Sequence, residues 1–350
     1  MLVVMRADAT AQQIEAVHTA LRGYGVRAES LPGHARVAIG VTGNKEYVPA
    51  EAVLRLPGVA DLIHVTRKYK LVSREFYPQS TVVRVGQVQF GTGRPVVIAG
   101  PCSVESEAQV MAAAEAVAAA GAQVLRGGVV KPRTSPYGFQ GLGYAGLRYL
   151  QAARQATGLP ICVEVMRTED VAVYDQEVDL LQVGARNMQN YDLLRRLGRA
   201  QTPVLLKRGL AATVEEWLLA AEYLLDGGNR NVILCERGIR TFETSTRNTL
   251  DLNSVALVRQ LTHLPVIVDP SHAAGRHDLV PPLARAAIAL GCDGLIVEVH
   301  PKPSEALSDA AQQLDFPTFE CLMQDVRTLS EVLNPLYTTA VDNAKASAAP

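Results

Sequence analysis

Residues 96–127 read VVIAGPCSVESEAQVMAAAEAVAAAGAQVLRG, and this stretch decides the fold. A short apolar, β-branched run at 96–100 is followed by helical periodicity over 105–120 and a second apolar run at 122–127. That is one strand–helix unit and the start of the next. The rhythm continues downstream, with apolar runs at 160–165, 179–185, 203–208, 231–236, 265–269 and 294–300. Helical stretches at 142–157, 213–226, 253–262 and 279–290 lie between them. Eight strand signals, each followed by a helix, predict an α/β fold, a (β/α)8 TIM barrel over 95–335. An open doubly wound sheet is the rival. Eight units, and no Gly-rich dinucleotide fingerprint after any strand, favour the barrel.

Upstream of the barrel the pattern differs. An apolar start at 2–5 leads to a helical stretch with Ile14, Val17 and Leu21 on one face, ended by Gly25. Two short strands at 26–31 and 36–41, a second helix from Pro49 and a last strand at 60–65 complete a βαββαβ order. That order predicts a small α+β ferredoxin-like domain over 1–65. Residues 66–94 read as a polar linker followed by a short β pair at 81–90. Residues 336–350 lack periodicity and read as a frayed tail.

The composition is that of a globular protein: 350 residues, 48% apolar and 20% charged. Lys plus Arg (34) nearly cancels Asp plus Glu (35), which argues against a broadly basic surface for nucleic acid or membrane. Arg6 and Asp8 interrupt the N-terminus too early for a secretory signal, and Arg285 and Asp293 break the longest apolar candidate span. Five cysteines at 102, 162, 235, 292 and 321 form no close pairs, which points to a reducing cytoplasm.

In a barrel, chemistry sits at strand C-termini and the loops after them. Cys102 follows the first strand, His272 the seventh, Glu298 ends the eighth with His300 beyond it, and Asp309 lies in the segment after it. Closure makes strand eight the neighbour of both seven and one, so the four can converge. One sulfur, one imidazole and two carboxylates suit a catalytic divalent metal. Each also has an ordinary reading: a buried small thiol, a satisfied histidine, a helix-capping Asp. Cys162 and Cys235, inside strand runs, read as structural. A second group is cationic: Arg126, Lys131, Arg133, Arg186, Lys207, Arg208 and Arg237. Seven cations on one rim repel unless anions sit among them. Some must pair with Glu164 and Glu236 or snorkel outward, Arg208 above all. Structural salt bridges account for two or three, so the rim reads as built for phosphate or carboxylate groups.

The strings GPCSVES (100–106), KPRTSPYGFQG (131–141), ILCERGIRTFE (233–243), TRNTLDL (246–252) and VDPSHAAG (268–275) resemble 3-deoxy-D-arabino-heptulosonate 7-phosphate (DAHP) synthases. The match is to the short microbial type with an N-terminal ferredoxin-like domain, and it covers most of 1–330. The resemblance implies that Cys102, His272, Glu298 and Asp309 hold one divalent metal of the Mn, Fe, Co or Zn class. It implies that Arg126, Lys131, Arg186, Lys207 and Arg237 hold phosphoenolpyruvate, with Glu164 near its reacting carbon. Arg133 and Thr134 then receive erythrose 4-phosphate. Lys131, Glu164, Cys102 and His272 become the catalytic set, with Lys131 as acid and Glu164 or a metal-bound water assisting the addition of water. The resemblance further implies feedback control by tyrosine or phenylalanine at the N-terminal domain, and a homotetramer. The nearest rival is 3-deoxy-manno-octulosonate 8-phosphate synthase, against which the KPRTS loop argues. A non-catalytic metabolite-binding barrel is the rival from another class, and the complete ligand and cation sets argue against it.

Overall fold

A computed structural model describes the chain except residues 33–35, 43–47, 64–66, 132–136 and 348–350, and leaves undescribed the side chains of 32 and 334–347. Arg133 and Thr134 therefore lie outside the described residues. The chain forms two compact units, 1–79 and 80–350.

The first unit contains β1 (Leu2–Met5), β2 (Arg27–Pro32), β3 (Val37–Thr42) and β4 (Val59–Ile63), with helices Ala11–Gly23 and Ala50–Leu54. The sheet order is β2-β3-β1-β4 and every pairing is antiparallel. The predicted ferredoxin-like order is present. Thr10 and Gln13 close a reciprocal capping box at the start of the first helix. The helix buries Val17 and Leu21 against Val3, Met5 and Ile39 of the sheet. The boundary differs from the predicted 65. Within the supposed polar linker, Phe76 is buried with Leu2 and Leu31, so this turn-rich segment belongs to the first unit. It carries no strand or helix period, which is why its apolar residues gave no signal.

The second unit opens with a hairpin, β5 (Val83–Val85) and β6 (Val88–Phe90). Eight parallel strands follow: β7 (Val96–Gly100), β8 (Val124–Arg126), β9 (Ile161–Glu164), β10 (Leu180–Val183), β11 (Val204–Lys207), β12 (Val232–Glu236), β13 (Val266–Val268) and β14 (Gly294–Glu298). They form a closed barrel, with β14 paired to β7 over five residue pairs. Helices such as Glu107–Ala120, Tyr144–Thr157 and Val214–Asp226 follow the strands. One layer of inward side chains packs the interior: Ile98, Val124, Cys162, Leu180, Leu205, Ile233, Cys235, Ile267 and Ile296. Val83, Val85 and Phe90 of the hairpin join this layer and plug the barrel at the N-terminal ends of the strands. Cys162 and Cys235 are thus small interior packers.

The last helix, Phe316–Ser347, corrects the reading of 336–350 as a structureless tail as far as that segment is described: helical backbone continues to Ser347. Its alanines at 340, 344 and 346 favour helix without needing an apolar period.

Candidate active site

Side chains alternate along a strand, so the residue two beyond an interior packer also faces the axis, one layer closer to the mouth. Applied to the packers above, the rule yields Gly100, Arg126, Glu164, Gln182, Lys207, Arg237, Asp269 and Glu298. Above a wholly apolar layer therefore lies a ring with three cations and three carboxylates. Gly100 leaves a gap in that ring. Its backbone adopts φ +150°, and a Cβ there would sit 2.2 Å from the Arg126 carbonyl oxygen.

The ring is knit by ion pairs with almost no exposure. Arg126 Nη1 donates to Glu298 Oε1 at 2.6 Å, and Lys207 pairs with Asp269. Asp269 also accepts from His272 Nδ1 at 2.8 Å and from the His272 backbone N–H at 2.9 Å. Burial raises the Asp269 carboxyl, but His272 and Lys207 outweigh it and hold the group well below its ordinary range. Burial also lowers His272 below the ordinary imidazole value, despite Asp269 and Glu298 beside it. With Nδ1–H committed to Asp269, its Nε2 lone pair faces the site, 3.4 Å from Glu298 Oε1 and 3.9 Å from Asp309 Oδ2.

The sulfur, Glu298 and Asp309 donor atoms lie within 4.8 Å of one another. Burial, then Glu298, pushes the Cys102 thiol up to about 12. Lys131 Nζ, itself buried, lies 3.0 Å from that sulfur and 3.2 Å from the Cys102 carbonyl oxygen. Asp309 is the one described non-glycine residue with positive φ, at +47°, a conformation that Asp tolerates better than most. Sulfur, imidazole and two carboxylates converging this closely, with the imidazole tautomer fixed by a carboxylate, fit a divalent transition metal.

Beside this cluster a cavity of about 290 Å³ opens, lined by Lys131, Glu164, Arg186, Lys207, Arg237, His272 and Asp309 among others. Arg126, in the same ring, has its Nε buried and without a partner among the described residues. Arg237 donates to the carbonyl oxygens of Gly238 and His272. Glu164 accepts from Gln182 at 3.2 Å, so the expectation that it pairs with a rim cation gives way to an amide partner. Gly184 makes room for it, since a Cβ there would lie 2.0 Å from Glu164 Oε1. Arg208 differs from the other cations. It follows the inward Lys207, so it faces outward, where Glu236 and Asp251 pair with it at 2.8 and 2.9 Å.

Gln182, Asp269, Arg240, Arg247 and Asn248 went unassigned in the sequence, although all but Asp269 line the cavity. Gln182 and Asp269 had a usable signal, polar residues at inward positions of strand ends. Arg240, Arg247 and Asn248 sit in a loop without periodicity, inside the strings quoted for the resemblance.

Comparisons with known proteins agree on one family. A family model described as the DAHP synthetase I family matches residues 71–332, and one for the DAHP synthase ferredoxin-like domain matches 1–67. A phospho-2-dehydro-3-deoxyheptonate aldolase of Thermotoga maritima is 47% identical over 333 residues, covering 95% of this chain and 98% of the relative. The crystal structure of the DAHP synthase of that organism superposes with a TM-score of 0.76 at the same coverage. A truncated form of the 3-deoxy-D-arabino-heptulosonate 7-phosphate synthase from T. maritima gives 0.72 at 48% identity, covering 76% of this chain and 98% of that one. A 2-dehydro-3-deoxyphosphooctonate aldolase of Syntrophotalea carbinolica is more distant, 32% identical across 72% of this chain and 96% of its own length.

Proposed function

The chain belongs to the DAHP synthetase I family and condenses phosphoenolpyruvate, erythrose 4-phosphate and water to DAHP and phosphate, and we propose that the inward ring and its cavity carry out this first step of the shikimate route. The observation that supports this placement most is the convergence of Cys102, Glu298 and Asp309 at the edge of the cavity that Lys131, Arg186, Lys207 and Arg237 line.

Cys102, His272, Glu298 and Asp309 would hold one divalent metal of the Mn, Fe, Co or Zn class. When bound, it polarises the aldehyde oxygen as a Lewis acid. Arg126, Arg186, Lys207 and Arg237 fix the trianionic enol phosphate, and proximity supplies much of the rate. Arg133 and Thr134 receive the sugar phosphate. The enol C3 forms the new carbon–carbon bond to the aldehyde carbon, and the aldehyde oxygen takes a proton from Lys131. Burial lowers the Lys131 ammonium, but Cys102, Glu298 and Glu164 together outweigh it and raise the group, so the proton is present at pH 7. Water adds to C2 of the former enol phosphate as Glu164 accepts its proton; the bond from C2 to the phosphate oxygen then breaks, the new C2 hydroxyl becomes the carbonyl, and its proton leaves on the released phosphate.

The unit 1–79 serves as the control domain, binding tyrosine or phenylalanine, in a homotetramer. None of the described helices is long and apolar enough to cross a membrane, and the five free thiols agree with a cytoplasmic protein. Phosphate release is measured with phosphoenolpyruvate and either erythrose 4-phosphate or arabinose 5-phosphate, with and without chelator and each amino acid. Turnover of erythrose 4-phosphate that chelation abolishes and one aromatic amino acid lowers is expected. Chelator-resistant turnover would remove the metal assignment, and preference for arabinose 5-phosphate would move the chain to the octulosonate reaction. Light scattering checks the tetramer.

A further inference from the structure

We propose that Gln312 is a positioning residue that couples the ligand carboxylate Glu298 to the cavity cation Arg247. The proposal rests on the metal reading above and deepens it. Gln312 is 2% exposed, in the short 3-10 turn Ala310–Gln312 directly after Asp309. Its Nε2 donates to Glu298 Oε2 at 2.6 Å, and its Oε1 accepts from Arg247 Nη1 at 2.7 Å. The other Glu298 oxygen, Oε1, takes Arg126 and faces His272 Nε2.

The two Glu298 oxygens thus have separate duties. Gln312 occupies Oε2, fixes the plane of the carboxylate and leaves Oε1 facing the imidazole beside Arg126. An uncharged amide donates at one end and accepts at the other, which is what these two partners require. A Glu here would set a second carboxylate against Glu298, and a Lys would set a second cation against Arg247. The neighbouring Gln313, 1% exposed, repeats the device: it accepts from the Cys102 backbone N–H at 3.0 Å and donates to the Ser308 carbonyl at 2.8 Å. Two consecutive amides therefore tie together the segments bearing Cys102, Glu298 and Asp309. The mechanism above uses neither.

Arg247 makes the link directional. Its guanidinium is over a third exposed, lines the cavity and lies 3.4 Å from Asp309 Oδ1. An anion that draws Arg247 inward moves the acceptor end of Gln312, whose donor end holds a ligand. Outer partners of metal ligands set affinity by about 10- to 100-fold, and a shared partner makes such effects non-additive.

The test titrates the metal-free full-length protein with Co²⁺ and reads the thiolate-to-cobalt absorbance, alongside thermal unfolding. Gln312→Met is expected to bind Co²⁺ about 10- to 100-fold more weakly while still unfolding cooperatively. Arg247→Met is expected to weaken binding less, and the double variant no more than Gln312→Met alone. Should Gln312→Met fail to fold, Gln312→Asn, one methylene short of Glu298, is held to the same comparison. Wild-type Co²⁺ affinity in the folded Gln312 variant, or fully additive losses in the double variant, would overturn the proposal. Cys102→Ser, which lacks the thiolate band and is therefore followed by titration calorimetry with Co²⁺, separates the two levels. If it too binds Co²⁺ as the wild type does, the metal assignment has failed. If it alone loses binding, only the role of Gln312 has.

Discussion

Two clusters of buried charge stand on opposite sides of one strand, and they are finished to different degrees. β12 ends in Glu236, which faces outward, and Arg237 follows it into the cavity. On the outer side Arg208 takes Glu236, Asp251 and the Ala212 carbonyl, and its guanidinium lies 5.9 Å from the Trp217 ring centroid. Glu236 uses its remaining oxygen on the Gly238 N–H, and Asp251 caps the helix Leu252–Leu261 through Ser254. This group is closed. On the inner side Arg126 Nε has no partner, Arg237 finds only carbonyl oxygens, and Arg186 lies exposed along the cavity. Charge that serves the fold is matched within the fold, whereas the charge we assign to a ligand is left short of partners.

The comparison breaks most severely if the closed cluster is opened. Arg208→Met leaves Glu236 and Asp251 without their cation, and Glu236 is fully buried. Removing one partner of a buried pair costs about 3–5 kcal/mol, so denaturant unfolding should show a loss of that order. The folded fraction should keep the wild-type KM for phosphoenolpyruvate. A stable Arg208→Met with a raised KM would mean that the outer cluster also serves the ligand. The inner cluster should behave in reverse. Cys102→Ser keeps the volume and the buried site, so stability should hold, but turnover after metal repletion should fall at least about 100-fold, the upper range for a mere outer partner. Full activity would dissolve the metal-centred reading.

This division bears on what could be read from the chain. Barrel strands were legible because both of their faces are buried, and runs such as 96–100, 204–206 and 232–235 are apolar up to the strand's last residue. The convergence of Cys102, His272, Glu298 and Asp309, which we propose as metal donors, was legible because they sit at strand ends or in the segments that follow, where topology brings them together. Pairing was not legible. Nothing in the order of residues says that Arg126 would take Glu298 rather than Glu164, because partners across a barrel are fixed by register and side-chain length. Gln312 and Gln313 gave no signal, since an amide in an irregular loop looks like any solvated residue until its depth is known. Phe76 escaped for a related reason: it is anchored by tertiary contact in a segment without period.

Arg186 offers a gentler test of the open side. Because it is exposed at the cavity, Arg186→Met should not alter thermal stability. A hydrogen bond to a charged group is worth about 1.5–3 kcal/mol, so the KM for phosphoenolpyruvate should rise about tenfold or more. An unchanged KM would place Arg186 on the sugar phosphate or outside the reaction.

The smallest effect concerns protons in the closed cluster. Burial raises the Asp251 carboxyl, but the Ser254 hydroxyl and N–H, and then Arg208, outweigh it and hold the group below its ordinary value. The folded state therefore favours the ionised form. The stability this supplies is present above the unfolded pKa, about 3.9, and is lost as pH falls through the lower folded value. Asp251→Asn removes that proton uptake, so its unfolding midpoint should decline less steeply below about pH 4 than that of the wild type. At pH 7 it should lie below the wild type, because Arg208 has lost one of its two carboxylates. Parallel acid limbs in the two proteins would mean that Asp251 titrates alike folded and unfolded, and that Glu236 alone closes the outer cluster.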